Sequence, residues 1–68
     1  MRTNKYHNRI ELSLALHFET EKAVFVSVGG NKEAAVWVPK YFLEIKEHEG
    51  RMIIVMIPER MAYEKGLI

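Results

Sequence analysis

Cysteine and aspartate are both missing from this chain. Without cysteine there can be neither disulfide staples nor thiolate zinc sites. That matters for 68 residues, because a chain this short buries only roughly 60% of its unfolded surface. A single core of that size supplies about 3 to 5 kcal/mol at most. Dense packing or self-association must make up the difference, and a homo-oligomer, a dimer first of all, is the expectation.

The lack of aspartate removes the usual partner that orients a catalytic base. The only serines, Ser13 and Ser27, lie inside strand-like runs, and the only threonines are Thr3 and Thr20 in polar segments. Nucleophilic catalysis has little to build on. His7, His17 and His48 do not stand at metal-binding spacings from one another, and Glu47-His48-Glu49 runs into Gly50 as a solvated turn would. Gly29-Gly30 precedes a strand-like run and not a helix, so the phosphate-cradling geometry is missing too. We therefore expect a non-enzyme without metal or cofactor. No apolar run approaches the roughly 18 residues of a membrane span, and no basic start followed by an apolar middle marks a signal peptide. The expected setting is soluble and cytoplasmic, with no membrane partner.

Charge of one sign is scarce in an uneven way. The formal net charge is +1, but residues 1–9 hold Arg2, Lys5 and Arg9 with no acid. The remainder is left with seven bases against nine acids, all of them glutamate. This reads as a basic, flexible arm over residues 1–9 and a single small domain over residues 10–68. Such an arm can follow phosphates or an acidic protein surface.

What is present is mostly strand. From Arg9 to Glu19 the residues alternate, with Leu12, Leu14, Leu16 and Phe18 on one side and Glu11, Ser13, Ala15 and His17 on the other, the pattern of a half-buried strand. Ala23 to Val28 resumes the alternation, and Gly29 to Lys32 supplies hairpin chemistry before Glu33 to Val38 returns. Pro39 cannot donate to a ladder and should end the third strand. Leu43 to Lys46 can pair briefly. Arg51 to Ile57 is so apolar that both of its faces read as buried, which requires a cover on each side. Pro58 and Gly66 bracket a short helix over Glu59 to Lys65, with Leu67 folding back across its end. The expected fold is mainly β: a five-stranded barrel, SH3-like or OB-like, with a short C-terminal helix.

Hairpin parity decides where Trp37 points. A loop of two or four residues sets it beside Val24, Val26 and Val28, and a loop of three or five beside Ala23, Phe25 and Ser27. A two-residue Gly30-Asn31 loop favours the valines and makes Trp37 a core anchor. Tyr41 and Phe42 follow Pro39 in too short a segment for both to be inside, so one should pack and the other show. With Lys40, Arg2, Lys5 and Arg9 they form the candidate partner-binding set.

Trp37-Val38-Pro39-Lys40, Ile57-Pro58-Glu59, Ala62 and Lys65-Gly66-Leu67 resemble a pattern in small uncharacterised proteins of bacteriophages and integrated elements. There the strand end reads W-V-P-K-S, the tail reads I-P-E-W-L-A, and K-G-L closes the chain. The likeness runs through the last two-thirds of the sequence and departs from the pattern at Tyr41, Arg60 and Met61. It implies a small accessory protein in a phage or mobile-element setting, with no activity and no site residues attached. Two functions follow as expectations. The first is a module that binds, and regulates or inhibits, a protein partner through a barrel face or an edge strand. The second is a barrel that binds single-stranded nucleic acid through the basic arm and its exposed aromatics.

Overall fold

The computed structural model describes residues 8–68. Five antiparallel strands form one sheet in the order β3-β2-β1-β5-β4. They are β1 Arg9–Glu19, β2 Ala23–Ser27, β3 Val36–Pro39, β4 Glu44–Glu49 and β5 Met52–Pro58, followed by the helix α1, Glu59–Glu64. Short 3-10 turns occupy Lys32–Ala34 and Lys40–Phe42.

β1 is long because it serves two partners. Arg9 to Ala15 pairs with β5, and Ala15 to Glu19 pairs with β2. Ala15 alone among the described residues takes part in both ladders, opposite Met52 on one side and Ser27 on the other. The turns on either side are locally encoded. Thr20 Oγ1 accepts from the amides of Lys22 and Ala23 at 3.3 and 3.0 Å, closing the β1–β2 bend as a side-chain turn. Between β4 and β5, Glu49 faces Met52 across a two-residue loop whose first member, Gly50, has φ +62°. That is the type II′ position where glycine avoids the Cβ clash.

The two outermost strands, β3 and β4, are joined only by Lys40–Leu43, most of it a 3-10 turn. A flat sheet would set them roughly 19 Å apart, four strand spacings of about 4.8 Å. A 3-10 turn advances only about 2 Å per residue. The sheet must therefore curl. β3 and β4 each keep a single hydrogen-bonded neighbour, so the sheet is curled and not closed.

The concave side holds the core. Leu14, Val24, Val26, Val38, Ile53 and Val55 are completely buried there, drawn from four strands at alternate positions. Ile57 and Leu43 extend the cluster, and Ile10, Leu12, Leu16 and Phe42 pack around it. α1 lies over the same side through Met61 and Ala62. Its end is a Schellman closure: the Leu67 amide donates to the Ala62 carbonyl at 2.8 Å, the Gly66 amide to that of Tyr63 at 3.1 Å, and Gly66 has φ +76°. Leu67 thereby folds back and is buried against the helix.

Besides the open sheet, and a fourth strand that continues through residues 47–49 where a turn is expected, three further sequence expectations change. The third strand starts at Val36 and not Glu33, because Asn31 accepts from the Glu33 amide at 2.9 Å and caps a 3-10 turn over Lys32–Ala34. Trp37 is not in the core. Val26 pairs with Val36 and Phe25 with Trp37, so an odd number of residues separates the innermost partners, and parity turns Trp37 to the face opposite the valines. Thirdly, β5 is not buried on both faces. α1 covers the side of Ile53, Val55 and Ile57, while Met52 is 43% exposed and Ile54 and Met56 are half-buried.

Neighbouring β5 residues should thus respond very differently to truncation. In urea melts Ile53→Ala is expected to lose about 2–5 kcal/mol, most of what so small a core provides, and Met52→Ala to change stability by no more than about 0.5 kcal/mol.

Candidate functional site

The convex face of the sheet bears the most distinctive surface. The β1–β2 ladder slips by one residue between Leu16 and Phe18, a bulge at His17 that moves one extra side chain through the strand. Beyond it the alternation is inverted. Phe18, expected alongside the leucines, lies opposite Phe25 on the convex side, and Phe25 lies opposite Trp37. The three rings form a cluster: Phe25 and Trp37 have centroids 4.9 Å apart at a 32° tilt, and Phe18 meets Trp37 edge-on at 6.1 Å. Such contacts contribute about 0.5–1.5 kcal/mol each beyond burial. Much of their surface nevertheless faces solvent, with Phe18 60% and Trp37 43% exposed.

His17 is held within this cluster. Its Nε2 is 2.8 Å from the buried Ser27 Oγ, and its ring meets Phe25 edge-on. Because the hydroxyl is satisfied by the imidazole, Ser27 can occupy a buried place beside Ala15 at little cost.

Apolar residues also line this face in the other half of the sheet: Met52, opposite the buried Ala15, then Ile54 and Met56. Its border there is acidic. Glu11 and Glu44 both face Met56, Glu47 faces Ile54, and Glu49 faces Met52. Arg9 approaches Glu44 at 3.8 Å. Among the described residues no ion pair involves Glu11, Glu47 or Glu49. A shallow depression of about 110 Å³ lies between Ser13, Glu47, Glu49, Met52 and Ile54.

Of the expected partner-binding residues, Lys40, Tyr41 and Phe42 share the second 3-10 turn and Arg9 lies at the far end of β1. Arg2 and Lys5 lie outside the described residues. Arg9 opens β1 beside Pro58. Lys40 is bound to Glu19 at the opposite end of β1. Tyr41 is 90% exposed, whereas Phe42 packs partly against the core and meets Tyr41 edge-on at 5.2 Å. The aromatic cluster was the residue set that sequence reasoning missed. An odd-length hairpin would have revealed Trp37 with Phe25, but nothing in the run from Leu12 to Phe18 marks the bulge.

A second cavity, of about 290 Å³, lies beside α1 between Asn8, Glu59, Arg60, Tyr63 and Ile68, and Arg60 there is paired with Glu64 one turn along at 3.1 Å. Among the described residues no group of three or more histidine or glutamate side chains is placed to hold a metal ion, and no helix is long and apolar enough to cross a membrane. Comparisons of the chain with protein-family models, curated proteins and solved structures give no match.

The Lys40–Glu19 pair bears on protonation. The hydrogen bond from Lys40, and then its charge, hold the Glu19 carboxyl below its ordinary value. The pair therefore contributes fully above the ordinary glutamate range, and the contribution is lost as pH falls through the depressed value. An NMR titration of the Glu19 side chain should give a midpoint below that of a free glutamate, and Lys40→Met should return it to the ordinary range.

Proposed function

We propose that this chain is a non-enzymatic interaction module, an SH3-like curled sheet that docks a protein partner on its convex face. Support for the SH3-like form comes from two features, the long β1 divided between two half-sheets and the 3-10 turn that links the outermost strands. The OB-like alternative fits less well, because the helix follows the last strand and covers the core side. The partial motif likeness to phage and mobile-element proteins suits a small accessory that regulates or inhibits its partner by binding.

The observation that carries the reading is that Phe18, Phe25 and Trp37 share one face of the sheet with Met52, Ile54 and Met56, opposite the helix-covered side, with Phe18, Trp37 and Met52 all exposed. Exposed aromatics on one contiguous patch characterise interaction sites, and tryptophan is prominent among residues that dominate binding energy. Face docking is also favoured over edge pairing. β3 is four residues long and ends at Pro39, while β4 is charged along its length and bulged between Ile45 and Glu47. Both are devices that discourage a further strand.

Three aromatics on an open sheet also favour a second reading, since single-stranded nucleic acid stacks on such platforms. The carboxylates bordering the same face oppose it, because phosphates would have to approach uncompensated negative charge.

The test compares affinity capture by the tagged protein and by its Phe18→Ser/Trp37→Ala variant from native host lysate, with and without nuclease. The expected result is a protein captured regardless of nuclease and lost with the variant; loss of a Trp anchor costs about 2 kcal/mol or more, roughly thirtyfold in affinity. Capture that nuclease abolishes would instead establish the nucleic-acid reading.

A further inference from the structure

The convex face is not uniformly apolar. Its aromatic half lies over β1, β2 and β3, and its aliphatic half, Met52, Ile54 and Met56, lies over β5 beside a line of carboxylates. On that half the register places four glutamates with two cations, Arg9, already directed at Glu44, and Lys46 at the bulge beside Glu47, so carboxylates remain in excess. Glu47 and Glu49 flank the depression floored by Met52 and Ile54. A side chain with a long apolar stem and a cationic head matches this shape. The stem would lie on the methionine and isoleucine while the head reaches the carboxylates.

We propose that the face receives a basic amphipathic segment of a partner protein. The apolar side chains of that segment rest on Phe18, Phe25 and Trp37, and its lysine or arginine heads meet Glu11, Glu47 and Glu49. This assignment of partner chemistry rests on the protein-docking reading above. Charge complementarity supports it, supplying orientation and encounter rate even where exposed pairs add little affinity. A second copy of the chain fits less well. A two-fold partner would bring the same glutamate border, set either against its own carboxylates or against the aromatic cluster, and the nearby Lys40 is engaged by Glu19.

The experiment titrates the isotope-labelled protein with three probes: a helical peptide with leucine on one face and lysine on the other, the same peptide with glutamate for lysine, and oligothymidine. NMR shifts report the location, and sedimentation reports the oligomeric state. The expected result is saturable binding of the lysine peptide, with shifts at the Trp37 indole N–H and at the amides of Ala15, Phe25 and Ile54. Glu47→Gln/Glu49→Gln should weaken that binding roughly three- to tenfold, with the unliganded spectrum otherwise unchanged. Trp37→Ala should weaken both this variant and the parent chain.

Equal binding of the glutamate peptide on the same face would overturn the basic-partner assignment while leaving protein docking in place. Shifts on this face with oligothymidine and with neither peptide would overturn both. A dimer that occupies the face in the absence of peptide would replace the proposed occupant with a second copy. No shift on this face with any probe would overturn the proposal outright.

Discussion

Everything in this fold depends on β1 being shared. Its first half completes one ladder with β5 and its second half another with β2, so this strand alone joins the ladders of the two hairpins β2–β3 and β4–β5 into one sheet. Leu14, wholly buried beside the residue where the ladders meet, is the point at which both hairpins share a core. The short Lys40–Leu43 link then draws the outer strands toward each other. Local encoding and long-range closure therefore reinforce one another, which a chain with so little core requires.

The curl has an asymmetric result. On its concave side the side chains converge, and α1 with Leu67 seals what the strands leave uncovered. On its convex side they diverge, and no described element lies across them. The same five strands thus carry one interior made of branched aliphatic residues and one surface on which rings and methionines predominate, with Ile54 among them. The division follows residue chemistry: β-branched side chains fill a tight concavity with few rotamers, while methionine and aromatic side chains adapt to varied contacts.

Much of the concave side was legible in the sequence. Alternation in β1 through Leu16, the valines of β2, the strand end at Pro39 and the helix between Pro58 and Gly66 all encode themselves locally through period two, missing amide donors and positive φ. The convex side was not legible. Its aromatic cluster arises from two shifts of register: the bulge at His17, and the Asn31-capped 3-10 turn that lengthens the β2–β3 connection to odd parity. A single-residue slip exchanges the two faces of a strand, so an error invisible to hydrophobic patterning moved Phe18 and Trp37 from the expected interior to the surface. The charged candidates Arg9 and Lys40 are a different case. Arg9 and Lys40 are locally conspicuous, but each is taken up by a glutamate that only the fold brings near.

The bluntness of β3 and β4 has a consequence for stoichiometry. An open edge would let copy follow copy in an unlimited ribbon, because each added strand recreates the edge it consumed. A face confers no such propagation: once covered, it is used up. With one rim ended by proline and the other bulged and heavily charged, neither edge invites ribbon growth, so the docking proposed for the convex face would end after a single event and saturate at a fixed stoichiometry.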